Sequence, residues 1–213
     1  MKTSLQDFDK KAALRLETPT LFGIDEAGRG PLAGPVVACA CFISSNMYGD
    51  FEDVNDSKKL TAQKREKIFE RIRKLGILYG VGFASAAEID RYNILQATFL
   101  AMRRAAVKFH NLHGAVALVD GNHTIAGFPI RQEAVVDGDA KSLNIAAASI
   151  VAKVLRDRYM DVIDKLYPGY GFAAHKGYGT PKHIAAVKEL GPCKEHRKTF
   201  APIRDFYKPT LFP

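Results

Sequence analysis

The sequence is poor in cysteine and contains no long run of apolar residues. Its longest uncharged apolar stretch, residues 31–47, includes two prolines, a glycine and the polar triplet Ser-Ser-Asn, which excludes a membrane-spanning helix. The first eleven residues are polar and charged, unlike a secretory signal peptide. Three cysteines among 213 residues are odd in number and sparse, a usage typical of a reducing compartment. We therefore expect a cytoplasmic protein without a membrane segment.

Internal repeats, low-complexity tracts and linker-like segments are also absent. With 47% hydrophobic and 25% charged residues, the composition is that of an ordinary globular protein, which excludes disordered, collagen-like and coiled-coil classes. This length predicts a single domain, residues 1–213. Within it we expect a polar lead-in, frayed or loosely docked, over about residues 1–18, and C-terminal helices with a glycine-rich loop over about residues 168–213.

Acidic residues are outnumbered by basic ones, 23 against 31, which gives a formal net charge of +8. A basic soluble protein binds nucleic acid more often than an average protein does, although the charge alone is weak evidence. His175, His183 and His196 flank basic loops, and we interpret them as surface or phosphate-contacting residues. Five cations near the C-terminus, where acids are scarce, form a predicted phosphate-binding patch: Lys182, Lys188, Lys194, Arg197 and Lys198.

The order of the apolar segments predicts an α/β fold. Short apolar segments predict strands over residues 18–25, 35–43, 77–84, 114–120 and 128–136. Apolar residues at helical spacing predict helices over residues 61–75, 94–109 and 142–166, and a short helix follows Pro181. Asp139 and Ser142 are candidate caps of the long helix. Three early strands, then strands alternating with helices, indicate a layered sheet with mixed strand directions.

Acidic residues stand at the ends of several predicted strands. Asp25 and Glu26 close the first strand, Asp120 closes the fourth, and Asp139 precedes the long helix. Because ligands bind beyond the carboxyl ends of strands in an α/β sheet, we expect these acids to converge on one cleft. Clustered carboxylates repel one another unless cations separate them, and Mg²⁺ and Mn²⁺ select oxygen ligands. Two such ions can support phosphodiester hydrolysis. For Asp139 alone, helix capping is an equally good interpretation.

A glycine-rich turn follows the first acidic pair directly. Residues 26–34 contain Gly28, Gly30 and Gly34, which expose backbone N–H groups and permit close approach of a phosphate or ribose. Arg29 adds a fork-shaped cation between two of them. The turn is neither a P-loop nor a complete dinucleotide-binding fingerprint, so its significance lies in its position beside the acids.

Several motifs in register resemble those of bacterial ribonuclease HII, of the type 2 ribonuclease H family. They are GIDEAGRGPLAGPVV at residues 23–37, DSKKL at 56–60, VDG at 119–121, GDAKSLNIAAASIVAKVLRDRYM at 138–160, and YGFAAHKGYGTPKH at 170–183. The segment GPCKEHRKTFAPI at residues 191–203 is similar to the family's C-terminal His-Arg-Ser/Thr-Phe segment. The resemblance spans about residues 20–203. It implies a ribonuclease H-like mixed sheet flanked by helices, with a C-terminal helical extension.

The resemblance also implies a function. The enzyme would be a metal-dependent endoribonuclease that cuts the RNA strand of RNA–DNA hybrids and nicks DNA 5′ of embedded ribonucleotides, leaving 3′-hydroxyl and 5′-phosphate ends. Asp25, Glu26, Asp120 and Asp139 would bind two divalent ions, Mg²⁺ or Mn²⁺. The backbone of the GRG motif would contact the 2′-hydroxyl that distinguishes RNA from DNA. A tyrosine would pack on the sugar on the DNA side of the junction, and two lysines would lie near the scissile phosphate. The substrate-binding residues would thus be Gly28, Arg29, Gly30, Lys58, Lys176 and Tyr178.

Other interpretations stay open at this point. A non-catalytic, basic nucleic-acid-binding module would use the acids only as caps and would bind without Mg²⁺. Ribonuclease HIII shares many motifs but carries an N-terminal substrate-binding domain, for which the 22 residues before Gly23 are too few. A small-molecule α/β enzyme is disfavoured because no nucleotide or nucleophile-elbow fingerprint is present.

The sequence offers one candidate contact for a protein partner. We expect a monomer. The apolar tail PTLFP, residues 209–213, is a candidate contact for a sliding clamp, although such termini are more often docked or disordered.

Overall fold

A computed structural model describes residues 4–54 and 57–208. In these ranges the strands are β1 (Leu21–Ala27), β2 (Val36–Phe42), β3 (Leu78–Ala84), β4 (Val116–Asp120) and β5 (Arg131–Val135). The α-helices are α1 (Leu5–Arg15), α2 (Ala62–Lys74), α3 (Ala86–Ala105), α4 (Leu143–Leu166), α5 (Phe172–His175) and α6 (Pro181–Leu190). Short 3₁₀ helices cover Ser45–Phe51, Ser57–Lys59, Ala106–Phe109, Gly138–Ala140 and Ile203–Tyr207. No helix in the described ranges is both long and apolar enough to cross a membrane.

The strands form one mixed sheet in the order β3-β2-β1-β4-β5. β1 and β3 both run antiparallel to β2, whereas β4 runs parallel to both β1 and β5. This arrangement confirms the predicted α/β class with mixed strand directions. The predicted strands match the observed ones to within a few residues, except that β5 is shorter at its start.

Both faces of the sheet are covered by helices. On one face, α3 packs over Phe22 and Ile24 of β1. On the other face, α2 and α4 pack over Cys39 and Cys41 of β2. A strand buried on both faces has no polar side, which explains the continuous apolar sequence VVACACF of β2.

The C-terminal segments pack against the far end of α4, as the predicted helical extension requires. Met160 of α4, Phe172 of α5 and Val187 of α6 share a core with Leu32 and Ile203. Leu32 belongs to the glycine-rich segment after β1, so this core joins the C-terminal extension to that segment.

Where the structure describes it, the N-terminal lead-in is a docked helix and is neither frayed nor loosely attached. Residues 5–15 form α1, whose Asp9 is fully buried and accepts hydrogen bonds from the backbone N–H and the side-chain amide of Asn144, at 3.0 and 2.8 Å. Asn144 in turn accepts from the backbone N–H of Ile43 at 2.7 Å. The sequence could not predict this contact, because an aspartate that will be buried against α4 cannot be distinguished in the sequence from an aspartate that will be exposed. Burial raises the pKa of Asp9 to about 6.

The second helix begins earlier than the predicted residue 94. Ser85 and Glu88 form a capping box at the start of α3. Asn93 then interrupts α3 with φ of 67°, and its side chain accepts from the backbone N–H groups of Leu95 and Gln96. The predicted start therefore coincides with this internal cap. For α4, Ser142 is the cap and Asp139 lies in a separate 3₁₀ turn.

The backbone of β1 approaches the backbone of α4 closely. A Cβ atom at Gly23 would lie 2.2 Å from the backbone C of Asn144 and the backbone N of Ile145. Both of these atoms belong to helix backbone, which cannot move aside as a flexible side chain can. Glycine at this position therefore sets the distance between β1 and α4.

We expect Gly23→Ala to destabilise the fold by about 3 kcal/mol or more, because overpacking against rigid backbone exceeds the usual range for added methyl groups. Urea denaturation measures the change. The matched control is Gly49→Ala, where the added Cβ meets nothing within 4 Å. Equal stability of the two variants would contradict this account of the β1–α4 contact.

Candidate active site

The carboxyl ends of β1 and β4 border a cavity of about 300 Å³. Ile24 pairs with Val119 in the parallel register, so Asp25 and Asp120 follow one position further along neighbouring strands. The cavity contains three of the four predicted acids and most predicted substrate-binding residues. Its lining consists of Asp25, Glu26, Ala27, Gly28, Arg29, Gly30, Ser57, Lys58, Arg65, Asp120, Ser149, Lys153 and Tyr178.

Asp25 is the most buried acid of the cavity and is only 5% exposed. Burial raises its pKa well above the usual value, and the nearby charges of Glu26 and Asp120 raise it further. Two hydrogen bonds counter this effect. The carboxylate accepts the Glu26 backbone N–H at 2.6 Å, and the Ser149 hydroxyl also favours the charged form. A charged Asp25 is therefore costly in this cavity unless a cation compensates it.

The other three acids each have a different partner. The Glu26 carboxylate lies 3.4 Å from the Arg29 guanidinium, and Asp120 accepts the Gly138 backbone N–H at 2.7 Å. Asp139, in the 3₁₀ turn beside Asp120, accepts from the Lys58 ammonium at 3.1 Å. Burial is the largest cause that raises the pKa of both Glu26 and Asp120, and each is raised further by a neighbouring carboxylate.

The donor set suits hard divalent cations. Four carboxylates offer only oxygen ligands, the type that Mg²⁺ and Mn²⁺ prefer, and burial raises the pKa of three of them, Asp25, Glu26 and Asp120. As the side chains stand, no three His, Cys, Asp or Glu residues in the described ranges are arranged to hold one ion. The chemistry of the donors fits a metal site, although each carboxylate is at present hydrogen bonded to a group of the protein.

Sequence reasoning missed four polar residues of the cavity: Ser57, Arg65, Ser149 and Lys153. Ser149 and Lys153 are one helical turn apart on α4, and Arg65 of α2 holds the 57–60 turn through the carbonyls of Ser57 and Leu60, at 3.0 and 2.6 Å. The i, i+4 spacing of Ser149 and Lys153 within the matched motif was a usable signal. Arg65 gave no such signal, because it lies in a helix dense in charges of both signs.

Lys176 lies elsewhere. Its ammonium pairs with the Asp161 carboxylate and donates to the Asp157 carbonyl at 3.3 Å, so it is directed at α4. Lys58, in contrast, lines the cavity and contacts Asp139. Proximity of Lys176 to a scissile phosphate stays a prediction.

The predicted C-terminal phosphate patch is wrong for Arg197. This side chain is fully buried, and its guanidinium donates to the carbonyls of Gly28, Arg29 and Gly34 at 2.6–3.0 Å. Arg197 therefore supports the glycine-rich turn from inside the protein. A count of charges cannot separate this buried cation from the lysines around it.

Two of the histidines also differ from their predicted surface role. His183 and His196 are buried, and their Nε2 atoms lie 3.0 Å apart. The Cys193 backbone N–H donates to His196 Nδ1, so His196 donates through Nε2 to His183, whose Nδ1 donates to the Tyr178 carbonyl at 2.9 Å. Both rings must be neutral for this chain of hydrogen bonds, which ends at the backbone of the glycine-rich loop that carries Tyr178.

Comparison with known proteins decides the family. The sequence model described as Ribonuclease HII matches residues 22–203. The chain belongs to the ribonuclease HII family. It is 52% identical over 184 residues to ribonuclease HII of Syntrophotalea carbinolica, with 86% of each protein covered. Its fold is similar to the crystal structure of ribonuclease H2 from Pyrococcus horikoshii, with TM-score 0.68, 28% identity and coverage of 88% and 96%. It is also similar to ribonuclease HII solved in complex with PCNA from Archaeoglobus fulgidus, with TM-score 0.65, 28% identity and coverage of 80% and 88%.

Membership of the ribonuclease HII family establishes the class of enzyme. The chain is a metal-dependent nuclease with ribonuclease H activity. The non-catalytic, ribonuclease HIII and small-molecule interpretations are thereby set aside. The family assignment agrees with the carboxylate cluster at the ends of β1 and β4.

The buried histidine pair predicts a pH dependence of stability in this ribonuclease HII family member. Burial and the neighbouring histidines lower the pKa of His196 to about 4, and burial also lowers the pKa of His183. Below pH 6.5 the unfolded chain binds protons that the folded chain does not, so stability falls as the pH decreases from about 6.5 toward 4. For each proton that only the unfolded chain binds, the free energy of unfolding falls by about 1.4 kcal/mol per pH unit.

We expect His196→Asn to make this decline shallower between pH 6.5 and 4.5, as measured by urea denaturation at several pH values. Buried acids such as Asp9 act in the opposite direction, but they are present in both proteins and do not affect the difference. The control is His123→Asn, at an exposed histidine. A decline as steep in His196→Asn as in the unchanged chain would contradict the neutral pair.

Proposed function

We propose that this enzyme cuts the RNA strand of RNA–DNA hybrids and nicks DNA duplexes on the 5′ side of embedded ribonucleotides. Its products would carry 3′-hydroxyl and 5′-phosphate ends, and its role would be the removal of ribonucleotides from DNA. One observation carries the proposal: carboxylates suited to phosphodiester hydrolysis and a backbone turn suited to ribose recognition line the same cavity.

For hydrolysis, the four acids would hold two divalent ions, Mg²⁺ or Mn²⁺, which when bound supply an activated water and stabilise the leaving 3′-oxygen. Asp25 and Asp120 would be the main ligands, because they lie side by side at the ends of β1 and β4. Glu26 would support them and Asp139 would complete the site. The Glu26 N–H and the Ser149 hydroxyl orient Asp25, and the Gly138 N–H orients Asp120.

For ribose recognition, backbone groups of Gly28, Arg29 and Gly30 would contact the 2′-hydroxyl. The Tyr178 ring lies close by, since a Cβ at Gly30 would come within 3.7 Å of it. Tyr178 is 48% exposed, which is consistent with a ring face available for the sugar of the next nucleotide. The glycine-rich turn would recognise the 2′-hydroxyl of one sugar, and the Tyr178 ring would pack on the next sugar only if that sugar lacks a 2′-hydroxyl.

For phosphate binding, the cavity provides four cations against three acids in its lining: Arg29, Lys58, Arg65 and Lys153 against Asp25, Glu26 and Asp120. With divalent ions bound, this surface would be positive overall and would attract the backbone of a duplex of any sequence.

We further propose that residues 1–213 act as one catalytic domain, monomeric and cytoplasmic. A sliding clamp is a proposed partner through residues 209–213, which lie outside the described residues. The support for a clamp is the complex of PCNA with ribonuclease HII from Archaeoglobus fulgidus.

Asp25→Asn tests the hydrolytic site. We expect cleavage to fall by more than about 100-fold, beyond the loss seen when groups that merely support metal ligands are removed. Duplex binding should survive, because it depends on cations and phosphates. The melting temperature in EDTA at pH 7 should rise, because a buried charge beside two other acids is removed. The control is Asp53→Asn at an exposed ion pair with Arg71. Full cleavage by Asp25→Asn, or cleavage unaffected by EDTA, would contradict the site.

A DNA duplex with a single ribonucleotide tests the substrate. With Mg²⁺ or Mn²⁺ we expect one cut on the 5′ side of the ribonucleotide, resolved on a denaturing gel, and a terminal phosphate on the downstream fragment. An all-DNA duplex of the same sequence should stay intact, and a continuous RNA–DNA hybrid should be cut at many positions. No cut at any metal concentration would reject the proposed specificity.

A further inference from the structure

Two buried arginines bind backbone carbonyls of the glycine-rich segment that follows β1. Arg156 is 1% exposed and donates to the carbonyls of Pro35, Ala33 and Lys176 at 3.0–3.3 Å. Arg197 is 0% exposed and donates through Nη2 to Gly28 at 2.6 Å, through Nη1 to Arg29 at 2.8 Å, and through Nε and Nη2 to Gly34. Within the described residues, neither guanidinium has a carboxylate in salt-bridge contact.

Buried cations without carboxylate partners are costly to a fold. Burial and the proximity of Arg156 lower the pKa of Arg197 to about 9, which still leaves Arg197 charged at neutral pH. A pair of apolar side chains would avoid the burial of charge and the repulsion between the two guanidinium groups, but it would leave the carbonyls of the glycine-rich segment without these donors. The two arginines therefore hold these carbonyls in place despite the cost of burying their charge.

The bonds of Arg197 fix the direction of two N–H groups. A trans peptide unit points its C=O and its N–H in opposite directions. The carbonyl of Gly28 shares a unit with the N–H of Arg29, and the carbonyl of Arg29 shares one with the N–H of Gly30. Because Arg197 binds both carbonyls from the interior, both N–H groups are turned away from it, and neither donates to a backbone carbonyl of the described chain. These residues line the cavity.

Arg197 is itself held in place. Its own backbone N–H donates to the Leu32 carbonyl at 2.9 Å. The next two residues are fixed by Asp90 of α3, whose carboxylate accepts the backbone N–H groups of Lys198 and Thr199, both at 2.9 Å. A surface acid on α3 thus anchors the segment from which Arg197 reaches under the turn.

We propose that Arg197 is a positioning residue for ribose recognition, which holds the peptide units of Gly28 and Arg29 so that the N–H groups of Arg29 and Gly30 face the substrate. The inference rests on the proposed function, since it assumes that this turn contacts the 2′-hydroxyl. Arg156 extends the same support to the carbonyl of Lys176, two residues before Tyr178, and so couples the turn to the loop that carries the tyrosine.

Arg197→Lys is the direct test, because lysine keeps the charge but lacks the planar fork that binds three carbonyls. We expect kcat on the single-ribonucleotide duplex to fall by about ten- to a hundredfold, the range for one or two lost charge-assisted hydrogen bonds. KM should change by less than about twofold, because phosphate contacts dominate binding. The matched control is Arg131→Lys, which replaces an arginine bonded to the Leu16 carbonyl away from the cavity.

A second measurement reports on positioning without any activity. NMR order parameters of the Arg29 and Gly30 amides should fall from about 0.85, typical of rigid backbone, toward 0.6 in Arg197→Lys, while those of the sheet stay unchanged. A merely structural loss of stability would not loosen these two amides selectively in a folded protein. Rigid amides, or loosened amides with an unchanged kcat, would each overturn the inference.

Asp90→Ala is a second test of the inference, for use if Arg197→Lys does not fold. It removes the carboxylate that binds the backbone N–H groups of residues 198–199 and leaves Arg197 itself unchanged. It should loosen the same two amides and lower kcat by a smaller factor, and unchanged values of either would overturn the inference. The proposed function fails separately, if the unchanged enzyme does not cut the single-ribonucleotide duplex. In that case, loosened amides would show that Arg197 positions the turn. They would not show a role in ribose recognition, and the inference would be rejected together with the proposed function.

Discussion

The close contact between β1 and α4 is the constraint on which the site depends. Glycine at position 23 lets the strand backbone approach the helix backbone, and Asp25 and Glu26 follow on the same strand. The same helix supplies Ser149 and Lys153 to the cavity. The acids and the polar groups opposite them are thus placed by a single interface of rigid elements, which is how a site holds its geometry to within a fraction of an ångström.

The start of α4 is fixed by contacts that lie far from the chemistry. Ser142 caps the helix, Asp9 of α1 binds its first turn, and Asn144 bridges this acid to the end of β2. The N-terminal helix is consequently part of the support of the active site rather than an appendage. One oxygen of Asp9, Oδ1, has no hydrogen-bond partner among the described residues, so this support includes an unsatisfied buried group.

Much of the site could be predicted from the sequence, because strand ends and glycine turns leave local signals. Asp25, Glu26 and Asp120 were identifiable as acids that end apolar strands, and the cavity does bring them together with Gly28 and Gly30. The mixed sheet followed from the order of apolar segments for the same reason. These features depend on residues near one another in the chain, where periodicity and spacing carry information.

The supports of the site could not be predicted, because their residue types are those of the surface. Asp9, Arg197 and His183 are polar side chains that are buried, and each has a hydrogen-bond partner more than ten residues distant in sequence. No local sequence pattern distinguishes an arginine whose guanidinium binds buried carbonyls from an exposed arginine that is available to bind phosphate. The difference is made by tertiary contacts, such as the anchoring of residues 198–199 by Asp90.

The net charge of +8 therefore explains attraction to nucleic acid but does not explain the selection of ribose over deoxyribose. Exposed lysines and arginines attract any polyanion, and their effect is similar for RNA and DNA backbones. Selection of a ribose requires donors held in one direction, and backbone N–H groups meet this need because their direction follows from the peptide plane. Arg156 and Arg197 donate hydrogen bonds to backbone carbonyls inside the protein, and these bonds orient the glycine-rich turn. The same residue type thus serves two purposes in this molecule, attraction where it is exposed and orientation where it is buried.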